Sequence, residues 1–454
     1  MKGKQYELDM RNGTIADKIL RFALPLMLSG MLQLLFNAAD VVVVGRFCGK
    51  ESLAAVGSNT SLINLLINLF VGLSVGANVV VAQDLGAGRE KEANRAVHST
   101  ILLAVISGVF LLGLGQVMGR QMLEWMESPE SVIDLATLYL RVYFLGMPAT
   151  MVYNFGSAIL RAKGDTQRPL YYLTFAGVIN VLLNLIFVVV LGWDVAGVAA
   201  ATSIAQYISA ALVVRCLVKE EGTLHLNLRG LCFDRQVFAR VARVGLPAGV
   251  QGMLFSLSNV VIQSTINSFG DVMMAGSAAA GNIEGFVYTA MNSFHQAAIT
   301  FTGQNYGAGK CDRVNKVAFY CVSFAVITGL VLGNLVYFFG PQLIGIYSPG
   351  EPEVVAAGMI RMRYIARVYC ICGVMDTMVG VLRGLGRSIG PMIVSLLGSC
   401  VLRLVWIATV FPLNPTPEML FLSYAITWLI TGGTHIAVFF ATRKKSYAMV
   451  GYYG

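Results

Sequence analysis

Apolar positions along this chain gather into twelve long runs separated by short polar stretches, without the strict alternation of half-buried strands. The runs lie at 19–45, 53–82, 97–118, 135–160, 170–191, 196–218, 242–268, 273–302, 317–340, 354–382, 391–412 and 419–441. Each is long enough for a helix to cross a hydrocarbon core, which takes about 20 residues. The pattern predicts an all-α, polytopic membrane protein with twelve transmembrane helices. The first run is too long for the short core of a cleaved secretory signal, so it is expected to stay as the first span.

The second half of the chain repeats the first. Ala23-Leu24-Pro25 returns as Gly245-Leu246-Pro247, an offset of 222 residues. Gln83 to Arg89 (Gln-Asp-Leu-Gly-Ala-Gly-Arg) returns as Gln304 to Lys310 (Gln-Asn-Tyr-Gly-Ala-Gly-Lys), and Leu160-Arg161 with Pro169 returns as Leu382-Arg383 with Pro391. Arg141 and Arg363 also pair at 222. Matches that always follow an even number of spans mean two six-helix lobes in parallel orientation. The expected organisation is a cytoplasmic N-terminus (1–14), an N-lobe (15–218), a cytoplasmic linker (219–241), a C-lobe (242–441) and a cytoplasmic C-terminus (442–454). The Gly-Ala-Gly segments join two spans and follow no strand, so they read as tight turns rather than phosphate loops. Gly72 with Gly76, and Gly380 with Gly384, are spaced for close helix approach.

Composition agrees with this pattern: 56% of residues are hydrophobic and 13% charged, with a mean hydropathy of +0.69, against about 25% charged in soluble domains. The net charge of +9 raises nucleic acid as a partner, and the placement of the charge removes it. When the loops are assigned to alternate sides, 25 of the 33 Lys and Arg fall with the termini, seven fall opposite, and Arg403 lies inside the eleventh run. That is the positive-inside signature, and it predicts cytoplasmic termini. The eight cysteines are scattered, and Cys370 with Cys372 has no nearby His to complete a metal site.

Ionisable groups inside a bilayer are costly and point to function or to a partner. Only three of the 24 acids lie well inside the runs: Asp40, Glu284 and Asp376. Asp40 follows Pro25 on the same helix, which combines a missing backbone hydrogen bond with a carboxylate that can exchange a proton. Gln33 and Asn37 precede Asp40 on that helix, and Asn180, Asn184 and Thr202 lie in the fifth and sixth runs, so a wet pocket around Asp40 is expected. The second half offers Asn259, Gln263, Asn282, Glu284, Tyr288, His295 and Gln296, with Arg403 as the expected partner of Asp376. Phe36, Tyr139, Asn154, Tyr153 and Phe155 are candidate cavity residues that could meet an aromatic or cationic ligand.

The twelve runs in two halves, the Pro25 to Asp40 spacing with Gln33 between, the Asn-Ala-Ala-Asp-Val-Val-Val-Val-Gly run at 37–45 and the paired Leu-Arg-x-x-Gly turns resemble the multidrug and toxic compound extrusion (MATE) family. The likeness is closer to its prokaryotic DinF-like branch. It implies a V-shaped antiporter that exchanges H+ or Na+ for amphipathic, often cationic, molecules by alternating access. By that likeness Asp40 would couple the cycle with Asn180, Asn184 and Thr202, and Pro25 would mark the helix bend. Gln33, Asn37, Phe36, Tyr139, Asn154, Glu284, His295 and Asp376 would line the substrate cavity. Asn184 stands where several prokaryotic members carry aspartate, and Phe255 and Cys372 replace two second-lobe acids, with Asp376 one turn beyond the latter. These departures favour H+ over a Na+ bound at Asp40, Asn180 and Asn184.

No metal or other cofactor is expected beyond the coupling ion. The expected partners are small-molecule drugs or metabolites and the lipid bilayer, with the chain acting as a monomer. A lipid-linked flippase is the alternative within transport. The scattered histidines 98, 225, 295 and 435 argue against an enzyme.

Overall fold

The computed structural model describes residues 6–126 and 128–451 and, among them, contains helices and no strand. The first half runs through α1 (Ala16–Phe47), α2 (Lys50–Gly86), α3 (Glu90–Trp125), α4 (Glu130–Phe144), α5 (Met147–Lys163), α6 (Gln167–Asn184) and α7 (Asp194–Lys219). The second runs through α8 (Arg235–Asn267), α9 (Asp271–Gly307), α10 (Cys311–Phe338), the short α11 (Gly340–Tyr347), α12 (Pro352–Tyr364), α13 (Tyr369–Gly384), α14 (Ile389–Ser395), α15 (Leu402–Thr409) and α16 (Pro417–Ala448). Of the expected tails 1–14 and 442–454, residues 1–5 and 452–454 lie outside the described residues.

Among the described residues, ten stretches are long and apolar enough to span a membrane, and α4 with α5 makes an eleventh, bent by 48°. The twelfth is α9, whose apolar character is diluted by Asn282, Glu284, His295 and Gln296. It has 37 residues, like its repeat partner α2. The fifth and eleventh spans carry π-helical turns, at Leu185–Val190 directly after α6 and at Leu396–Val401 directly before α15. A π-turn inserts an extra residue and recurs at functional sites.

The compact units do not follow the lobes in chain order. One comprises the chain up to Leu8 with Leu28–Gly249, and the other Asp9–Met27 with Val250–Gly454. The first helix of each repeat is therefore shared, and the crossings fall two or three residues after Pro25 and Pro247, where a proline has removed a helical hydrogen bond. Phe22 in the first part of α1 packs edge-on against Phe301 of α9, with ring centroids 5.5 Å apart.

Glycines set the closest packing. A Cβ on Gly72 would lie 2.1 Å from the backbone nitrogen of Gly249, and one on Gly76 2.2 Å from the carbonyl of Val241, so α2 and the first part of α8 meet backbone to backbone. A Cβ on Gly380 would lie 2.7 Å from the His295 carbonyl, and one on Gly384 2.6 Å from the Thr302 side chain. Gly72→Ala is expected to cost about 1–3 kcal/mol by overpacking, seen as a lower melting temperature of the purified protein in detergent. An unchanged melting temperature would contradict the contact. The Gly-Ala-Gly segments are tight turns, with Gly88 and Gly309 at φ +68° and +70°.

Charges at the ends of the spans are networked. Asp84, fully buried, accepts from Arg89 at 2.8 Å and from both terminal nitrogens of Arg240 at 2.8 and 2.9 Å. Lys163 bridges Glu7 (2.5 Å) and Glu220 (2.7 Å), and Arg168 joins Glu220 (2.8 Å) to Asp165. Burial pushes the Glu220 carboxyl up, but Lys163 and Arg168 outweigh it and hold the group below its ordinary range. Glu220 therefore stabilises the fold above about pH 4.5, and that contribution is lost as acid takes the pH through the lowered value. Asp165, pushed up by burial despite Arg168, has the opposite sign, so the comparison must be between wild type and Glu220→Gln. The stability gap between them is expected to narrow in acid; a gap independent of pH would count against this network.

Candidate coupling site and family

The apolar face of α1 is interrupted at Asp40, and the helices that meet it supply amides and a hydroxyl. The Nδ2 of Asn180 donates to both Asp40 oxygens at 3.1 and 3.4 Å, and the Nδ2 of Asn184 donates to Oδ1. Thr202 Oγ1 lies 3.5 Å from Asp40 Oδ2 and from Asn180 Oδ1, while bonded at 3.1 Å to the carbonyl of Val198. Asn180 is buried and Asn184 fully so, whereas Asp40 keeps an accessible edge. No cation of the chain pairs with Asp40 among the described residues. The carboxylate is held by neutral donors alone, and the amide oxygen of Asn184 is buried without a hydrogen-bond partner. The π-turn begins at the next residue, Leu185, and places this unsatisfied acceptor at an irregularity of the helix.

The four residues expected to converge in the first half are together. Gln33 and Asn37 are exposed on the same helix, and Phe36 packs its ring on Gly177, leaving no room for a Cβ there. Tyr139 is buried and stacked on Tyr143 at 5.8 Å, both within electrostatic reach of Asp40. Tyr143 was not singled out from the sequence, although its i+4 spacing from Tyr139 is the signal for it. Asn154 spends its amide on the carbonyl of Thr150 (3.0 Å), and Tyr153 donates to that of Pro169 (3.1 Å). Phe155 is fully buried.

In the second half the polar residues divide into separate groups. Glu284 is buried and bound by Arg361 at 2.9 and 3.0 Å, and Arg361 also reaches Ser277 at 2.9 Å. This ion pair commits Glu284 to a protein partner and takes it away from the cavity lining expected for it. Asp376 accepts from the hydroxyl of Tyr288, and its carbonyl lies 2.6 Å from the Nδ1 of His295. The expected Asp376–Arg403 pair does not form: Arg403 donates to Thr427 at 2.9 Å and lies over the ring of Tyr424 at 3.9 Å. Arg383 donates to Gln251 at 2.9 Å.

The MatE family profile matches residues 25–186 and again 247–409, together most of the chain and in register with the repeat. The chain belongs to the MATE family. It is a multi-pass membrane transporter, not an enzyme. It is similar to a probable multidrug resistance protein, YpnP, of Bacillus subtilis, 27% identical over 87% of this chain and 88% of that one. A second probable multidrug resistance protein of that organism, YoeA, is 28% identical over 83% and 82%. A solved MATE structure in a bent conformation has a TM-score of 0.89 at 22% identity, covering all of both chains. At that identity the structural likeness speaks for the fold.

Proposed function

We propose that this MATE transporter is an efflux antiporter for amphipathic, often cationic small molecules, driven by H+ rather than Na+. The observation that carries the reading is the Asp40 carboxylate, held by amide and hydroxyl donors with no cation of its own. An ionised carboxylate in this setting attracts a cationic substrate strongly, because surrounding apolar groups screen little. Protonation removes that attraction. The new O–H needs an acceptor, and the unpartnered amide oxygen of Asn184 supplies one when the amide turns over.

The donors that hold the ionised form thus rearrange around the neutral one. The bond change acts on α1 beyond Pro25, where the helix can bend. Asp40 is the one carboxylate in this cluster, so a single negative charge is all that could hold a Na+, which supports H+ as the coupling ion. The curated relatives named as multidrug resistance proteins support the cargo class. By the charge count the protein lies in the cell membrane with both termini cytoplasmic, and it acts as a monomer.

Expression in an efflux-deficient bacterium is expected to lower steady-state accumulation of ethidium several-fold, by about 1 kcal/mol of transmembrane distribution or more. Equal accumulation in expressing and empty cells would count against the proposal.

A further inference from the structure

The internal repeat maps the coupling corner of the first half onto the second. With the offset of 222, Asp40, Asn180, Asn184 and Thr202 correspond to Ile262, Leu402, Trp406 and Tyr424. The carboxylate and its donors have been replaced by apolar and aromatic side chains, and one charge of opposite sign stands among them. Arg403 is adjacent to Leu402 and lies over Tyr424.

Arg403 is 5% exposed, forms no ion pair among the described residues, and leaves its Nε without a hydrogen-bond partner. Arg403 spends one terminal nitrogen on Thr427; Arg361, half-buried, is neutralised by Glu284, and Arg383, buried as well, donates to Gln251 and likewise keeps an Nε without a hydrogen-bond partner, so what sets Arg403 apart is the aromatic cluster it faces. A guanidinium kept in a span without a carboxylate is costly to hold there and marks a site that meets a negative charge. A second feature agrees. The π-turn of the second half ends at Val401, two residues before Arg403, just as that of the first half begins next to Asn184.

The surroundings define the ligand. Tyr369 stacks on Trp428 at 5.4 Å and 15°, Trp428 meets Tyr424 edge-on at 5.5 Å, and Tyr424 carries Arg403. Flat aromatic faces next to a planar guanidinium suit a ring bearing an oxyanion, with the fork of N–H groups donating to the carboxylate oxygens.

From this arrangement we infer that the second lobe holds an anion subsite at Arg403, which takes the carboxylate of an aromatic substrate. The inference rests on the exporter reading and extends its cargo from cations to aromatic anions and zwitterions. It also accounts for the departure of the second lobe from acidic coupling chemistry. Asp40 serves the cation and proton, and Arg403 serves the negative end of the cargo.

The test is binding of 2-naphthoate to the purified full chain, read by quenching of tryptophan emission, with 2-naphthylmethylammonium as the matched cation. Saturable quenching by naphthoate is expected. Arg403→Gln should raise its half-saturation about tenfold or more, and Arg403→Lys, which keeps the charge but loses the planar fork, should fall between wild type and Arg403→Gln. Cation binding should be unaffected by Arg403→Gln and weakened by Asp40→Asn. Trp406→Phe/Trp428→Phe should remove most of the naphthoate signal, which keeps the test decisive if Arg403→Gln fails to fold. Equal naphthoate binding in wild type and Arg403→Gln, no binding to wild type, or quenching that survives in Trp406→Phe/Trp428→Phe would overturn the subsite. Ethidium export lost with Asp40→Asn in the same preparations leaves the exporter reading intact whatever naphthoate does; absence of ethidium export in wild type sinks that reading separately.

Discussion

Asp40→Asn is expected to reduce dye export about a hundredfold, equivalent to ~2.7 kcal/mol, while leaving the protein in the membrane at normal abundance. The substitution is nearly isosteric, and the site around it is neutral, so no charge partner is orphaned. What disappears is the ability to alternate between a carboxylate and its acid. Asn180, Asn184 and Thr202 all present donors to Asp40, and an asparagine can still accept from some of them, so folding should survive. Export and growth protection against a cationic dye, measured with the protein quantified in isolated membranes, separate the two effects. Retained export with normal abundance would remove Asp40 from the coupling role.

Arg361→Met should be the most destabilising single substitution in the second half. It leaves Glu284 buried, with one oxygen already lacking a partner and the other losing both of its bonds. Breaking a buried ion pair from one side costs about 3–5 kcal/mol, whereas replacing both members by apolar groups of similar size is often neutral or stabilising. The double variant Arg361→Met/Glu284→Leu is therefore expected to recover most of the stability lost by the single one. Thermal unfolding of the two purified variants checks this. A double variant no more stable than the single one would mean that Arg361 acts through Ser277 or through packing rather than through the pair. Dye export in the rescued double variant should be close to wild type, because the pair is placed as structure and not as cavity lining.

Much of the first-lobe site was legible because polar residues are rare in the spans. In an apolar helix Asp40, Asn180, Asn184 and Thr202 each need a reason, and their convergence supplies one. The repeat was legible from Pro25 and Pro247 and from the two Gly-Ala-Gly turns, since backbone breaks leave residue-level marks. Pairings between spans were not. Glu284 and Arg361 are 77 residues apart, and nothing local says whether an arginine meets Glu284, Asp376 or neither, so the expected Asp376–Arg403 pair is one the structure does not contain. The division of α1 and α8 between two compact units was also hidden, because it depends on which helices a segment packs against. The π-turns beside Asn184 and Arg403 likewise answer to tertiary packing, and periodicity alone reads those stretches as ordinary helix.

The most direct test of proton coupling through Asp40 is transport in proteoliposomes containing only the purified chain, with a fluorescent cationic dye followed under an imposed pH gradient and then under an imposed Na+ gradient. The account predicts dye movement against its own gradient on the pH gradient alone, none on Na+ alone, and loss of the pH-driven movement in Asp40→Asn. Transport that requires Na+, or pH-driven transport that persists in Asp40→Asn, would contradict it.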